Sequence, residues 1–166
     1  LLSRQGKFEA KIGDSVIFVG GNNDITYVCR TADCSGIDPN YGCQETSDGS
    51  ICRFRFAISL SPDAAQRQAA RTADLQVVTK NGEEYLNESL DLFLDDKKVD
   101  TLNIGAELKG QPSTDISISG SGVGATRQEA VTNALQNMKR LQTILITGSL
   151  PVKLDVVKTD AVSPLL

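Results

Sequence analysis

Four cysteines, Cys29, Cys34, Cys43 and Cys52, fall inside one 24-residue window of a 166-residue chain, and the residues between them are rich in Gly, Asp, Asn, Ser and Pro. Such a window buries too little apolar surface to hold itself together. Closing a loop of this size with a disulfide removes denatured-state entropy worth about 3 kcal/mol. Two disulfides therefore answer the problem, and they imply an oxidising, extracytoplasmic compartment. Of the three possible pairings, the nested one is favoured, Cys29 with Cys52 and Cys34 with Cys43, because 25–30 and 52–60 read as strands flanking the loop. The competing use is a zinc site with four thiolate ligands. Zinc sites present close pairs two to four residues apart, whereas the gaps here hold four, eight and eight residues. No metal or other cofactor is expected.

The rest of the composition narrows the function classes. With 17 Lys plus Arg against 21 Asp plus Glu, the net charge is −4 and no basic block exists, so the electrostatic footprint of a nucleic-acid binder is missing. The longest apolar run, Val16 to Val19, is far short of the ~20 residues that span a bilayer, and membrane contact is expected only through flanking segments absent from this chain. Histidine is absent, which removes the commonest general base and the middle member of a Ser-His or Cys-His pair. The chain starts at Leu1 without Met and ends at Pro164-Leu165-Leu166. Both ends read as cut from a longer protein, so targeting information is expected outside this stretch.

Along the chain, Phe8, Ala10 and Ile12 alternate with polar residues before a Gly13-Asp14 turn and the run Val16 to Val19, which is a hairpin signature. In the run Cys52 to Leu60, Phe54, Phe56, Ile58 and Leu60 share one face. Ser61-Pro62-Asp63 is a helix start, followed by a stripe of Ala65, Ala69, Ala73 and Val77. Leu90, Leu92 and Leu94 form an alternating strand that ends at an Asp95-Asp96 turn, and the run Val99 to Leu108 is ambiguous. Ile116 and Ile118 mark a strand expected to stop at the Gly120-Ser-Gly-Val-Gly124 turn. Thr126 and Glu129 cap the longest helix, whose stripe is Val131, Ala134, Leu135, Met138, Leu141 and Leu145. A last strand is expected over 152–156.

From Cys52 onward the order strand, helix, strand, strand, helix, strand predicts an α+β fold, a ferredoxin-like split β-α-β two-layer sandwich. Residues 1–52 would add an N-terminal antiparallel β lobe with the disulfide loop, and 53–166 would be the ferredoxin-like layer, the whole forming one compact domain.

Candidate chemistry is sparse, and no catalytic residue is expected. Gly120, Gly122 and Gly124 before a helix could cradle a phosphate, but the Lys-Ser/Thr of a P-loop is missing and a tight strand-to-helix connection explains them better. Glu83-Glu84 and Asp95-Asp96 fit solvated turns better than a calcium loop. Arg53 and Arg55, near Arg30, could bind an acidic ligand, with Phe54 and Phe56 packing into the core on the opposite face. Asn87-Glu88-Ser89 is an N-glycosylation sequon.

The stretches Ser89 to Asp96, Ile116 to Gly120 and Thr126 to Ala130, and above all Gly148, Ser149, Leu150 and Pro151 running on to Leu154, with Ser163-Pro164 beyond, resemble the SecD family, the large accessory subunit of the Sec protein-export machinery. The resemblance is to the first large extracytoplasmic domain and covers residues 53 to 164 well. Phe8 to Ile12 and Ile25 to Val28 are similar to archaeal members, whereas the cysteine loop has no counterpart in bacterial ones. The resemblance implies a non-enzymatic domain on the outer face of the cytoplasmic membrane, part of a multi-pass protein beside SecF and the SecY channel, with Pro164 at the membrane re-entry point. It further implies capture of unfolded secretory polypeptide and a proton-gradient-driven swing, for which a hinge near Arg53 or Ser61 is a candidate. Two other classes stand beside it. One is a disulfide-stabilised extracellular binding or adhesion domain. The other is an enzyme on the ferredoxin-like scaffold such as an acylphosphatase, whose arginine-bearing phosphate loop is absent.

Overall fold

The computed structural model describes residues 7–20, 23–80 and 82–149. In chain order its elements are β1 (Phe8–Ile12), β2 (Ser15–Val19), β3 (Ile25–Val28), β4 (Ser35–Ile37), β5 (Cys43–Thr46), β6 (Gly49–Leu60), α1 (Pro62–Thr72), β7 (Val77–Lys80), β8 (Glu83–Leu94), β9 (Lys97–Gly105), a 3₁₀ turn at Ala106–Leu108, β10 (Asp115–Gly124) and α2 (Arg127–Ser149). Gly148 and Ser149 belong to the last turn of α2. Leu150, Pro151, Pro164 and the expected strand 152–156 lie outside the described residues.

Two long strands organise the fold. In β6 the side chains alternate strictly, with Cys52, Phe54, Phe56, Ile58 and Leu60 buried and the residues between them half-exposed. Its one edge pairs antiparallel with β10 over ten register positions, from Asp115↔Ser59 to Gly124↔Ser50. Its other edge is taken in succession by β3, β4 and β5. The second long strand, β8, pairs with β1 near its C-terminal end, with β7 near its N-terminal end, and with β9. The β8–β9 hairpin turns on Asp95 and Asp96, both at positive φ (53° and 67°), a conformation that short acidic residues tolerate and that matches the twist of a two-residue hairpin.

The helices obey their start signals. Ser61 caps α1, accepting the Ala64 N–H at 3.1 Å, and α1 turns Ala64, Ala65, Gln68, Ala69 and Thr72 inward. It ends at Thr72, so Val77 belongs to β7 and not to the helical stripe; the β-branched pair Val77-Val78 finds strand partners in Leu86 and Tyr85. Thr126 accepts the Glu129 N–H at 3.1 Å while the Glu129 carboxylate accepts from Ala125 at 2.9 Å, and the α2 side chains Ala130, Ala134, Met138, Leu141 and Leu145 are buried. Both sheets contribute to one continuous apolar core.

Further expectations change. The strand that begins at Asp115 does not stop at Gly120 but runs to Gly124, and its glycines lie on the inner face, opposite Phe54, Cys52 and Ser50. A Cβ on Gly122 would meet the backbone of Ala134, and one on Gly124 the backbone of Ala130. These glycines let α2 lie directly on the strand, and they form no phosphate loop.

The α+β class holds, but the described strands do not make the single sheet of a split β-α-β sandwich. β6 and β10 sit in one sheet and β7, β8 and β9 in another. The edge of β6 that such a sandwich would use for its last strand is occupied by β3, β4 and β5. For the same reason strands 8–46 form no sheet of their own, since β1 and β2 join β8 while β3 to β5 join β6.

The disulfides are Cys29–Cys34 and Cys43–Cys52, not the nested pairing. The register explains why. Val28 lies opposite Ile58, which puts Cys29 beside Ala57, about 16 Å along the strand from Cys52 at roughly 3.3 Å per residue. Ala57 holds both ends of the first bridge, accepting the Cys29 N–H at 2.9 Å and donating to the Cys34 carbonyl at 3.1 Å. Cys43 is the direct cross-strand partner of Cys52.

Candidate functional site

The alternation that buries Phe54 and Phe56 turns Arg53 and Arg55 of β6, and Ser117, Ser119 and Ser121 of β10, the other way. These residues line a cleft whose opposite wall is β9 with the hairpin β7–β8. It consists of two adjoining cavities of about 980 and about 1090 Å³. Ser119 of β10 and Leu102 and Asn103 of β9 line both, as do Arg53, Glu83 and Tyr85.

Arg53 is the best-anchored cation here. It donates to Glu83 at 2.8 Å and lies 4.3 Å from the centre of the Tyr41 ring, an attractive arrangement because the ring face carries negative charge density. Tyr85 donates its hydroxyl to Glu83 at 2.7 Å. The Arg53 hydrogen bond first, and that of Tyr85 second, hold the Glu83 carboxyl below its ordinary range; the same carboxylate raises the Tyr85 phenol. At the α2 end, Arg140 pairs with Asp100 of β9 at 2.9 Å. Two of the three arginines that line the cleft, Arg53 and Arg140, thus come with their own counterions.

Of the residues singled out by sequence, Arg53, Arg55, Glu83 and Glu84 meet in this cleft. Arg30 is exposed beyond β3 and does not line it. Phe54 and Phe56 pack in the core with ring centres 6.3 Å apart. Asp95 and Asp96 serve their turn, binding the Lys7 N–H at 2.9 Å and its ammonium at 3.3 Å. Among the described residues the one group spaced for a metal, Cys29, Asp33 and Cys34, contains both sulfurs of a disulfide. Asn87 is exposed on β8, its side-chain oxygen accepting the Gln76 N–H at 3.1 Å.

Sequence reasoning did not find Tyr41, Tyr85, Asp100, Gln68, Asn133, Asn137 or Arg140. Asn133 and Asn137 carried a usable signal, since residues four apart share a helix face and theirs borders the apolar stripe.

The described residues thus make an α+β fold with two antiparallel sheets, two disulfides and an open, polar cleft between sheet edges in which acids outnumber arginines. No protein-family model matches the chain. The chain is 30% identical over 165 residues to the protein-export membrane protein SecD of the archaeon Methanothermobacter thermautotrophicus, a match covering 99% of this chain and 32% of that protein. The chain is SecD-like along nearly its whole length, and it spans about a third of the relative it matches. No helix among the described residues is long and apolar enough to cross a membrane.

Proposed function

We propose that this chain is the extracytoplasmic domain of a Sec protein-export accessory subunit, which binds translocating preprotein and moves to aid proton-gradient-driven export. The observation that carries the reading is the 30% identity to SecD, sustained over 165 residues. Two disulfides support an oxidising compartment. The absence of histidine and the pairing of Arg53 with Glu83 and of Arg140 with Asp100 in the cleft suit a non-enzymatic binding role. In this reading SecF and the SecY channel are partners through the full-length protein, and flanking helices hold the domain at the membrane.

The test is the affinity of the purified chain for a reduced, carboxamidomethylated polypeptide compared with the same polypeptide folded. Preference for the unfolded form by tenfold or more is expected. Equal or absent binding would leave the second reading, a disulfide-stabilised extracellular binding domain with no export role, which the two bridges support equally well.

A further inference from the structure

Main-chain direction decides what the outer edge of β10 can do. In β6, Arg53 donates its N–H to Gly42 and accepts from Asp38, and Ala57 donates to Cys34 and accepts from Cys29. The odd-numbered residues of β6 therefore turn their main chain away from β10. Their partners Ser117, Ser119 and Ser121 must then point their own N–H and C=O groups outward, because opposed residues of an antiparallel ladder either exchange both bonds or exchange neither.

Three outward carbonyls of β10 are covered: that of Asp115 accepts from the Ser113 hydroxyl at 3.0 Å, and those of Ser121 and Val123 are bonded by α2. Asn137 donates to Ser121 O at 2.9 Å and Asn133 to Val123 O at 2.7 Å. Among the described residues nothing pairs with the main chain of Ser117 or Ser119. An exposed edge of this kind is usually blunted; here α2 blunts one half and leaves the other open, facing the cleft.

The cleft fits a neutral main chain. Arg53 and Arg140 are already paired with Glu83 and Asp100, and the acids Asp38, Glu83, Glu84, Asp100 and Glu107 outnumber the arginines Arg53, Arg55 and Arg140 in the lining, so the cleft does not select an anionic ligand. The serines present little bulk to a neighbouring strand. Gln68 lines the same cavity as Ser117 and Ser119, is 3% exposed, and its side-chain Nε2 has no hydrogen-bond partner. A buried amide donor without an acceptor is destabilising, and a peptide carbonyl could satisfy it.

We infer that the open half of the β10 edge, at Ser117 and Ser119, takes up an extended polypeptide segment as an added strand, with the Gln68 amide as a further donor. The inference rests on the reading that the domain binds unfolded chain, and it names the site and the mode. Recognition is through the main chain and hence tolerant of sequence.

The test uses the purified chain and a labelled, reduced, carboxamidomethylated polypeptide. Ser117→Pro and Ser119→Pro each remove one outward N–H, a change that edge strands accept, and each should weaken binding at least tenfold with an unchanged far-ultraviolet spectrum; Ser119→Thr should stay within twofold of wild type. If wild type binds and both proline variants bind equally well, the site is wrong while the export reading stands. If wild type binds no better to unfolded than to folded polypeptide, the export reading itself fails. Should the proline variants unfold, amide shifts of the wild type on adding polypeptide decide: movement at Ser117, Ser119 and Ser121 supports the site, and movement confined elsewhere overturns it. The same amides shifting with protein concentration alone would assign the edge to a second copy of this chain and also overturn the proposal.

Discussion

The two faces of the β6–β10 ladder are built from the same two strands and could hardly differ more. On one, Cys52, Phe54, Phe56 and Gly122 are turned to the side that α2 covers, buried and apolar. On the other, Arg53, Arg55, Ser117 and Ser119 line an open polar cleft. The difference teaches that one period-two alternation can supply both cohesion and a binding surface, provided a single partner helix covers only one side.

The comparison breaks most visibly at Gly122. Gly122→Val would drive a side chain into the backbone of Ala134, and a helix backbone cannot step aside as a flexible side chain can. A loss of about 3 kcal/mol in urea unfolding is expected, at the upper end for overpacking. Next comes the bridge on the same face. Replacing both Cys43 and Cys52 by Ala should remove about 2–3 kcal/mol, the entropy of a loop this short, read as a lower denaturation midpoint.

On the cleft side the effects should be small. Glu83→Gln should lower stability by less than about 1 kcal/mol, because solvent screens so exposed an ion pair. Its pH dependence has a definite sign. The folded-state carboxyl titrates below its unfolded value, so its contribution is complete above the unfolded value, near pH 4.3, and is lost as pH falls through the folded one. A urea-midpoint series from pH 7 to pH 3 should show wild type and Glu83→Gln converging only at the acid end. Smallest of all is Ser121→Ala, expected within about 0.5 kcal/mol of wild type; a loss as large as that of Gly122→Val would mean that the two faces are not independent.

Local chemistry was legible in the sequence. The hairpin at 8–19, the Ser61 and Thr126 caps and the alternation from Cys52 to Leu60 each depend on residues close together in the chain, and each formed where expected. What depends on the partner of a long strand was not. The nested disulfide pairing failed because nothing near Cys29 reveals that its neighbour Val28 faces Ile58. The glycines at 120–124 read as a turn because a close helix approach and a turn ask for the same residue. The cleft was half visible: Arg53 and Glu83 stood out as charges, but their meeting depends on two sheets coming together.

The sharing of β6 also bears on the order in which the chain can acquire its structure. β5 and β6 are joined by a short turn, and the bridged cysteines are five and nine residues apart, whereas the β10 residues that pair with β6 lie more than fifty positions downstream. Short loops close in well under a microsecond, and distant pairings come later. Both sulfur bridges can therefore form correctly in a chain that has not yet produced β10. A nested pair would have closed its inner bridge as readily but left Cys29 and Cys52, 23 positions apart, to find each other across the longer loop. A domain wired in this way can acquire its bridges from the N-terminal end without reshuffling.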